Sequence, residues 1–195
     1  ISPSSSPVSE SSELAPSASK VELVESDSGV WQLQRNGEPY TIRGAGGIDH
    51  LELLQRSGGN TLRTWGVDQL ENSPEGKTLL DRSAKLGLNV MLGLWVVHQR
   101  HGADYGDPKF LQQQRDRIRA SVRAYRDHPA VLLWGLGNEM EADGEDPRIW
   151  QELEVLAQIV KEEDPHHPIC TVLAGTGNEK VQRLQEHYTS LDILG

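Results

Sequence analysis

His128-Pro129-Ala130-Val131-Leu132-Leu133-Trp134-Gly135-Leu136-Gly137-Asn138-Glu139 is the stretch whose reading decides the fold. Val131 to Trp134 is a run of large apolar side chains without polar alternation, which marks a strand buried on both faces. Strands of that kind belong to sheets covered by helices. Gly135 and Gly137 let the backbone turn sharply and approach a ligand closely. The run then ends in a carboxamide and a carboxylate, Asn138 and Glu139. A Glu at the mouth of such a strand suits general acid/base work, and the Asn beside it can hold a hydroxyl of a polar substrate. Taken alone, Trp134 to Glu139 reads equally well as a strand end carrying a solvated Glu.

Working outward, the chain alternates strand and helix. Tyr40 to Gly47 reads as a first strand ending in glycines, followed by a short helical stretch around Leu51, Leu53 and Leu54. Asn60 to Trp65 is a second strand, Thr78 to Leu86 a helix, and Asn89 to Val97 a long apolar third strand. Lys109 to Arg126 is a helix whose Leu111, Ile118, Val122 and Tyr125 form one inward stripe. Its arginines (115, 117, 119, 123 and 126), with Asp116 and Asp127 among them, read as a solvated face. Val131 to Gly135 is the fourth strand, Pro147 to Glu163 a helix, and Ile169 to Leu173 the fifth strand. Glu179 to His187 is a further helix, and Leu191 to Leu194 begins a sixth strand. Strands and helices of this size in alternation imply right-handed βαβ units and a parallel sheet. No Gly-x-Gly-x-x-Gly follows the first strand. The polar and aromatic residues collect instead at the carboxyl ends of the second, third and fourth strands, where barrel active sites are built. The expected fold is therefore an α/β (β/α)8 TIM barrel, truncated after about six strands.

The amino-terminal part differs in character. Ile1 to Lys20 has seven serines before residue 13 and almost no bulky apolar residue. It cannot bury enough surface to offset its conformational entropy, so residues 1–20 are expected to be a disordered leader and 21–195 the barrel domain. The chain begins at Ile1 without an initiator Met, so a processed or excised piece is expected. A Ser/Pro-rich tether hints at export, to an extracellular or periplasmic location. Val21, Leu23 and Val30 to Gln34 read as strands around the turn Ser26-Asp27-Ser28-Gly29. Asn36-Gly37, between Trp31–Arg35 and Glu38–Ile42, is a type I′ hairpin signal.

Composition narrows the partners. A net charge of −10 argues against non-specific binding to nucleic acid or an anionic membrane, which needs a basic face. No apolar stretch approaches the roughly 18 residues that span a bilayer. Cys170 is the only cysteine, so no internal disulfide or zinc-ribbon framework can form. Its apolar neighbours make it a core residue.

Three strand ends carry candidate chemistry: Arg63-Thr64-Trp65, Trp95-Val96-Val97-His98 and Asn138-Glu139. An Arg facing carboxylates keeps one ionised and oriented. Trp offers a flat face to a sugar ring. Each residue alone has a structural reading, as an ion-pair former, a core aromatic or a capping group; their joint occurrence at successive strand ends is harder to explain that way. His98 and His101 are spaced as metal ligands can be, but no carboxylate completes a site, and His98 is read as a sugar contact. Asp164-Pro165-His166-His167-Pro168 also invites a metal reading. It lies on the amino side of the fifth strand, the stability face of a barrel, so it is read as a turn. No metal and no cofactor is expected.

Gly59-Asn60-Thr61-Leu62-Arg63-Thr64-Trp65, together with the stretch His128 to Glu139, resembles the barrel domain of clan A retaining glycoside hydrolases, family 2 most of all. The hairpin Leu33 to Gly47 resembles the entry to that barrel. The resemblance spans about residues 30 to 195. It implies an oligo- or polysaccharide substrate, Glu139 as general acid/base, Asn138 on the sugar 2-hydroxyl and Arg63 supporting the nucleophile. Arg63, Trp65, Trp95, His98 and Asn138 would be the substrate-binding residues. Retaining chemistry needs a second carboxylate about 5–5.5 Å from the first. In this clan it ends the seventh strand, which is expected beyond the chain end, and Glu141 and Asp143 leave the same loop as Glu139 and are poor substitutes. The 195 residues alone are accordingly expected to be inactive. Three competing readings stay open: a β-1,3-glucanosyltransferase-type enzyme, which shares the Asn-Glu strand end, a barrel that binds sugars without cleaving them, and a structural α/β domain.

Overall fold

The structure is a computed structural model that describes residues 18–71, 79–140, 146–175 and 177–195. Six parallel strands form one sheet in sequential order: β4 (Gly44–Gly46), β5 (Thr61–Arg63), β6 (Asn89–Leu94), β7 (Val131–Leu136), β8 (Ile169–Thr171) and β9 (Ile193–Leu194). Helices α1 (Leu51–Arg56), α2 (Asp68–Glu71), α3 (Leu79–Lys85), α4 (Pro108–Tyr125), α5 (Pro147–Glu163) and α6 (Asn178–His187) alternate with them. Sequential parallel pairing with helices between the strands is the barrel topology that the sequence predicts, over six strands. Val90, Leu92, Leu94, Val131, Trp134 and Leu136 pack with Ile149, Leu153, Leu156 and Val160 of α5 into the main core. Met91, Leu133 and Cys170 belong to a second cluster. A register shift between Val90 and Met91, opposite Val131 and Leu133, brings Leu132 into that second cluster as well.

The amino ends of the strands form the floor of the barrel, and a small antiparallel sheet covers it. Strands β1 (Val21–Glu25), β2 (Trp31–Arg35) and β3 (Glu38–Pro39) pair in that order. Asn36 and Gly37 take φ of 53° and 82°, the left-handed pair a type I′ turn requires. Val21, Leu33 and Tyr40 close the second cluster from below. Residues 1–17 of the expected leader lie outside the described residues. Ser19, assigned to that leader, is 2% exposed and bonded to the barrel. The packed part therefore begins before Val21.

Several elements differ from their predicted extents, for reasons visible in their bonding. The first strand is confined to Gly44–Gly46 because Asn60, through its side chain, bonds Thr41 O and Arg43 N and replaces ladder pairing over 41–43. The third strand stops at Leu94. Beyond it Val97 N donates to Gln114 Oε1 at 3.1 Å and Val97 O accepts from Tyr105 at 2.7 Å, so side chains take over from the sheet. Gln114 is thereby the buried polar member of the α4 stripe, with Ile118 and Val122, while Leu111 and Tyr125 are only partly buried. The arginine face is not simply solvated. Arg115 makes a bidentate pair with buried Glu152, and Arg119, Arg123 and Arg126 converge on Glu163, so the face is an ion-pair seam between α4 and α5. Pro147–Glu163 matches its prediction residue for residue, with Asp146 capping the first turn by accepting from Arg148 N at 3.0 Å. The predicted start of α3 at Thr78 lies outside the described residues. None of the described helices is long and apolar enough to cross a membrane.

Candidate active site

The site begins where β7 runs out. Gly137 N donates to Leu94 O at 3.0 Å and Glu139 N to Val172 O at 2.8 Å, so the chain stays held between its neighbours past the end of the strand. Thr171 Oγ1 adds a bond to Leu136 O at 2.9 Å. Gly137 has φ of 69° and Glu139 φ of 52°. A left-handed glutamate is rare and costs on the order of 1–3 kcal/mol, and it persists only where its surroundings fix it. Met140, 2% exposed, anchors the next position. A Cβ added at Gly137 would meet Met140 Cγ at 2.9 Å, which is why only glycine fits beneath this turn.

Arg63, at the end of β5, reaches across the sheet. Its Nη2 donates to Asn138 Oδ1 at 2.6 Å. Because guanidinium only donates, this contact fixes the carboxamide orientation and leaves Asn138 Nδ2 as the outward donor. The guanidinium lies 5.2 Å from the Trp65 ring centroid, a cation–π contact. Burial lowers the Arg63 pKa from its ordinary value, and the Glu139 charge pulls the other way. Arg63 Nε is buried and has no hydrogen-bond partner among the described residues. A buried donor with nothing to bond carries a cost of about 1–3 kcal/mol, and an anionic acceptor placed there would remove it.

The loop after β6 supplies aromatics. Trp95 stacks on His101 with centroids 6.4 Å apart and planes 17° apart, and His98 lies 5.6 Å from Trp95 and 5.4 Å from His101. His98 is wholly enclosed, at 0% exposure, and so offers no surface to a sugar as placed; this departs from the reading of His98 as a direct contact. Trp65 is 37% exposed and Trp95 half-buried. Gln99 Nε2 donates to Asp146 Oδ2 at 2.8 Å, which ties this loop to the start of α5. Glu141 and Asp143 lie outside the described residues. Below the site, burial pushes the Cys170 thiol up to about 11 against the opposing charge of Arg63, so the thiol is neutral and inert. Among the described residues no cluster of three or more His, Cys, Asp or Glu could hold a metal ion.

The structure thus brings together Arg63, Trp65, Asn138 and Glu139, with Trp95 on an adjoining loop. The Arg63–Asn138 bond, Thr171 and Gln99 were not singled out from the sequence. The Thr and Gln carry no motif, and only the fold pairs residues 75 positions apart.

The parallel barrel sheet with an Asn-Glu strand end and aromatic rings beside it places the chain among (β/α)8-type barrels, and comparison with known proteins gives the family. The family described as "Glycosyl hydrolases family 2, TIM barrel domain" matches residues 74–193, and the chain belongs to it. "Beta-galactosidase 2" from Enterobacter cloacae is 26% identical over 132 residues, covering 55% of this chain and 12% of that protein. Among solved structures, a glycosyl hydrolase family 2 member from Bacteroides cellulosilyticus superposes with a TM-score of 0.63 at 23% identity, covering 90% of this chain and 23% of that one. The β-D-glucuronidase of Dictyoglomus thermophilum gives 0.60 at 20% identity, covering 90% and 32%. The chain spans about an eighth of the length of the curated relative it matches.

Proposed function

We propose that this chain carries the acid/base side of a retaining β-glycosidase site. Glu139 is the general acid/base, protonating the departing glycosidic oxygen and then activating water. Asn138 Nδ2 holds the sugar 2-hydroxyl, and Trp65 and Trp95 provide faces for the sugar rings. His98, enclosed beside Trp95, positions that ring. Retention requires a second carboxylate about 5–5.5 Å from Glu139, which attacks the anomeric carbon and leaves a glycosyl-enzyme for water to open. We assign that nucleophile to a seventh strand of the complete barrel. The observation that carries this reading is Arg63: one arm is fixed on Asn138 while its Nε stays buried without an acceptor. A carboxylate across the sugar from Glu139 would complete it. Family membership favours hydrolysis of β-linked O-glycosides, and the galactosidase and glucuronidase relatives leave the sugar itself open. An exported, tethered enzyme acting on oligo- or polysaccharides fits the Ser/Pro-rich start of the sequence.

The test uses the full-length enzyme with Glu139→Gln. Aryl β-glycosides with poor leaving groups need the acid and should lose turnover by roughly 10²–10⁴-fold. Formation of the glycosyl-enzyme from activated aryl glycosides should survive. Equal loss on both substrate types would remove Glu139 from the acid/base role.

A further inference from the structure

The Asp164-Pro165-His166-His167-Pro168 turn does no work in the glycosidase reading, yet its Asp164 and His167 side chains are buried and hydrogen-bonded. Ser19 Oγ lies 2.7 Å from Val131 O, and because a carbonyl only accepts, the hydroxyl hydrogen is there. The same Oγ, 3.0 Å from His167 Nε2, is left to accept from the ring. His167 Nδ1 lies 2.7 Å from Asp164 Oδ2, which also accepts from Trp134 Nε1 at 2.8 Å. Asp164 Oδ1 accepts from His166 N at 2.9 Å. The His167 and Asp164 side chains are 1% and 2% exposed.

Burial works against the Asp164 carboxylate, but the bonds from His167, His166 N and Trp134 outweigh it and hold the group below the ordinary carboxylate value. An ionised Asp164 on one side and an accepting Ser19 on the other require a hydrogen on both ring nitrogens. We infer that His167 is a proton-dependent latch, which as an imidazolium clasps the entering chain at Ser19 onto the barrel floor and releases one of its two bonds when it gives up a proton. The order Ser-His-Asp is that of a charge relay, but the Ser19 hydrogen is committed to Val131 O and the hydroxyl is enclosed. It is therefore a clasp and not a nucleophile.

The latch and the floor sheet share their bonds. Val21 N donates to His166 O at 2.9 Å, Lys20 N to Asn36 Oδ1 at 2.9 Å, and Asn36 N to Lys20 O at 2.7 Å. The charged groups around the latch are matched among themselves. From α4, Arg126 bonds the Glu163 carbonyl and carboxylate and lies beside Asp127. From α5 and β9, Lys161 pairs with Asp192, and Glu162 with Arg119. From the floor, Lys20 pairs with Glu22, and Arg35 donates to Pro129 O. His166 is exposed at the rim of a hollow of about 350 Å³ beside the latch. Asp164 is thus the counter-ion that faces the imidazole. The clasp sits at the amino end of β7, so Ser19 is held on the face opposite Glu139.

The test is independent of any glycosidase activity. In the full-length protein, the His167 ring nitrogens are followed by NMR from mildly acidic to mildly alkaline pH, alongside exchange protection of the Lys20 and Val21 amides, corrected for intrinsic rates. Both nitrogens should carry hydrogens at the acidic end. Protection should fall about tenfold or more as one proton leaves, the worth of a hydrogen bond to a charged group. Ser19→Ala should remove that step and leave protection low throughout; if that variant does not fold, the wild-type titration still decides. A ring with a single hydrogen at the acidic end, protection that stays constant as the ring titrates, or a Ser19→Ala variant that keeps the full step would each overturn the latch.

Discussion

The two ends of β7 are built for opposite purposes. At the amino end, Trp134 is fully buried, its indole bonded to Asp164, and Asp164, His167 and Ser19 satisfy one another. At the carboxyl end, only five residues on from Trp134, Glu139 sits in a left-handed conformation beside a half-satisfied Arg63 and a Trp65 that is 37% exposed. The Ser19–His167–Asp164 clasp at the floor satisfies its own polar groups, and the mouth leaves Arg63 Nε open for something else. Strain and unmet donors at one end of a strand, with closure at the other, are what a rigid scaffold presenting a reactive site looks like.

The contrast breaks most visibly with paired tryptophan substitutions. Trp134→Ala removes a fully buried ring and one of the hydrogen bonds to Asp164, and should cost about 3–5 kcal/mol in denaturant unfolding. Trp65→Ala should move stability by no more than about 0.5 kcal/mol while raising KM for the sugar substrate. Comparable stability losses from both would erase the distinction between floor and mouth.

A smaller effect sharpens where the floor begins. Deleting residues 1–17, whose composition cannot support a core, should leave the thermal midpoint unchanged. Extending the deletion through Lys20 removes Ser19 and should lower the midpoint by roughly 2–4 °C for each kcal/mol lost. Identical midpoints for the two deletions would show that Ser19 contributes nothing to the fold.

Smaller still is the acid limb from the start of α5. Bidentate hydrogen bonds from Arg148, with the Arg148 backbone N–H, hold Asp146 at about 2, against an ordinary 3.8. A carboxylate lowered in the folded state stabilises above its ordinary value and loses that contribution as pH falls through the folded one. Asp146→Asn should therefore flatten the stability profile between about pH 4 and about pH 2. An acid limb unchanged in the variant would remove Asp146 from it.

What the sequence made legible follows from the range of the interactions involved. β7 announces itself because every residue of Val131–Leu136 apart from Gly135 is large and apolar. α5 is bounded by an Asp-Pro at each end, a local signal that fixes it to the residue. The candidate site was legible as residue types at strand ends. The 41–43 stretch was not, because Asn60 supplies its bonds from 17–19 positions away. Gln114, buried to receive the Val97 amide, breaks an apolar stripe for a reason no periodicity contains. Enclosure of His98 and the capture of Ser19 by His167, 148 positions on, likewise depend on the closed fold.

The most direct measurement of the central claim is the stereochemistry of azide rescue in the full-length Glu139→Ala enzyme with an activated aryl β-glycoside. If Glu139 is the acid/base of a double displacement, its removal spares formation of the glycosyl-enzyme but leaves no base for water. Azide, which needs no base, should then restore turnover and yield the β-glycosyl azide, with configuration retained. An α-glycosyl azide would make Glu139 the nucleophile, and an absence of rescue with wild-type rates would remove it from the chemistry.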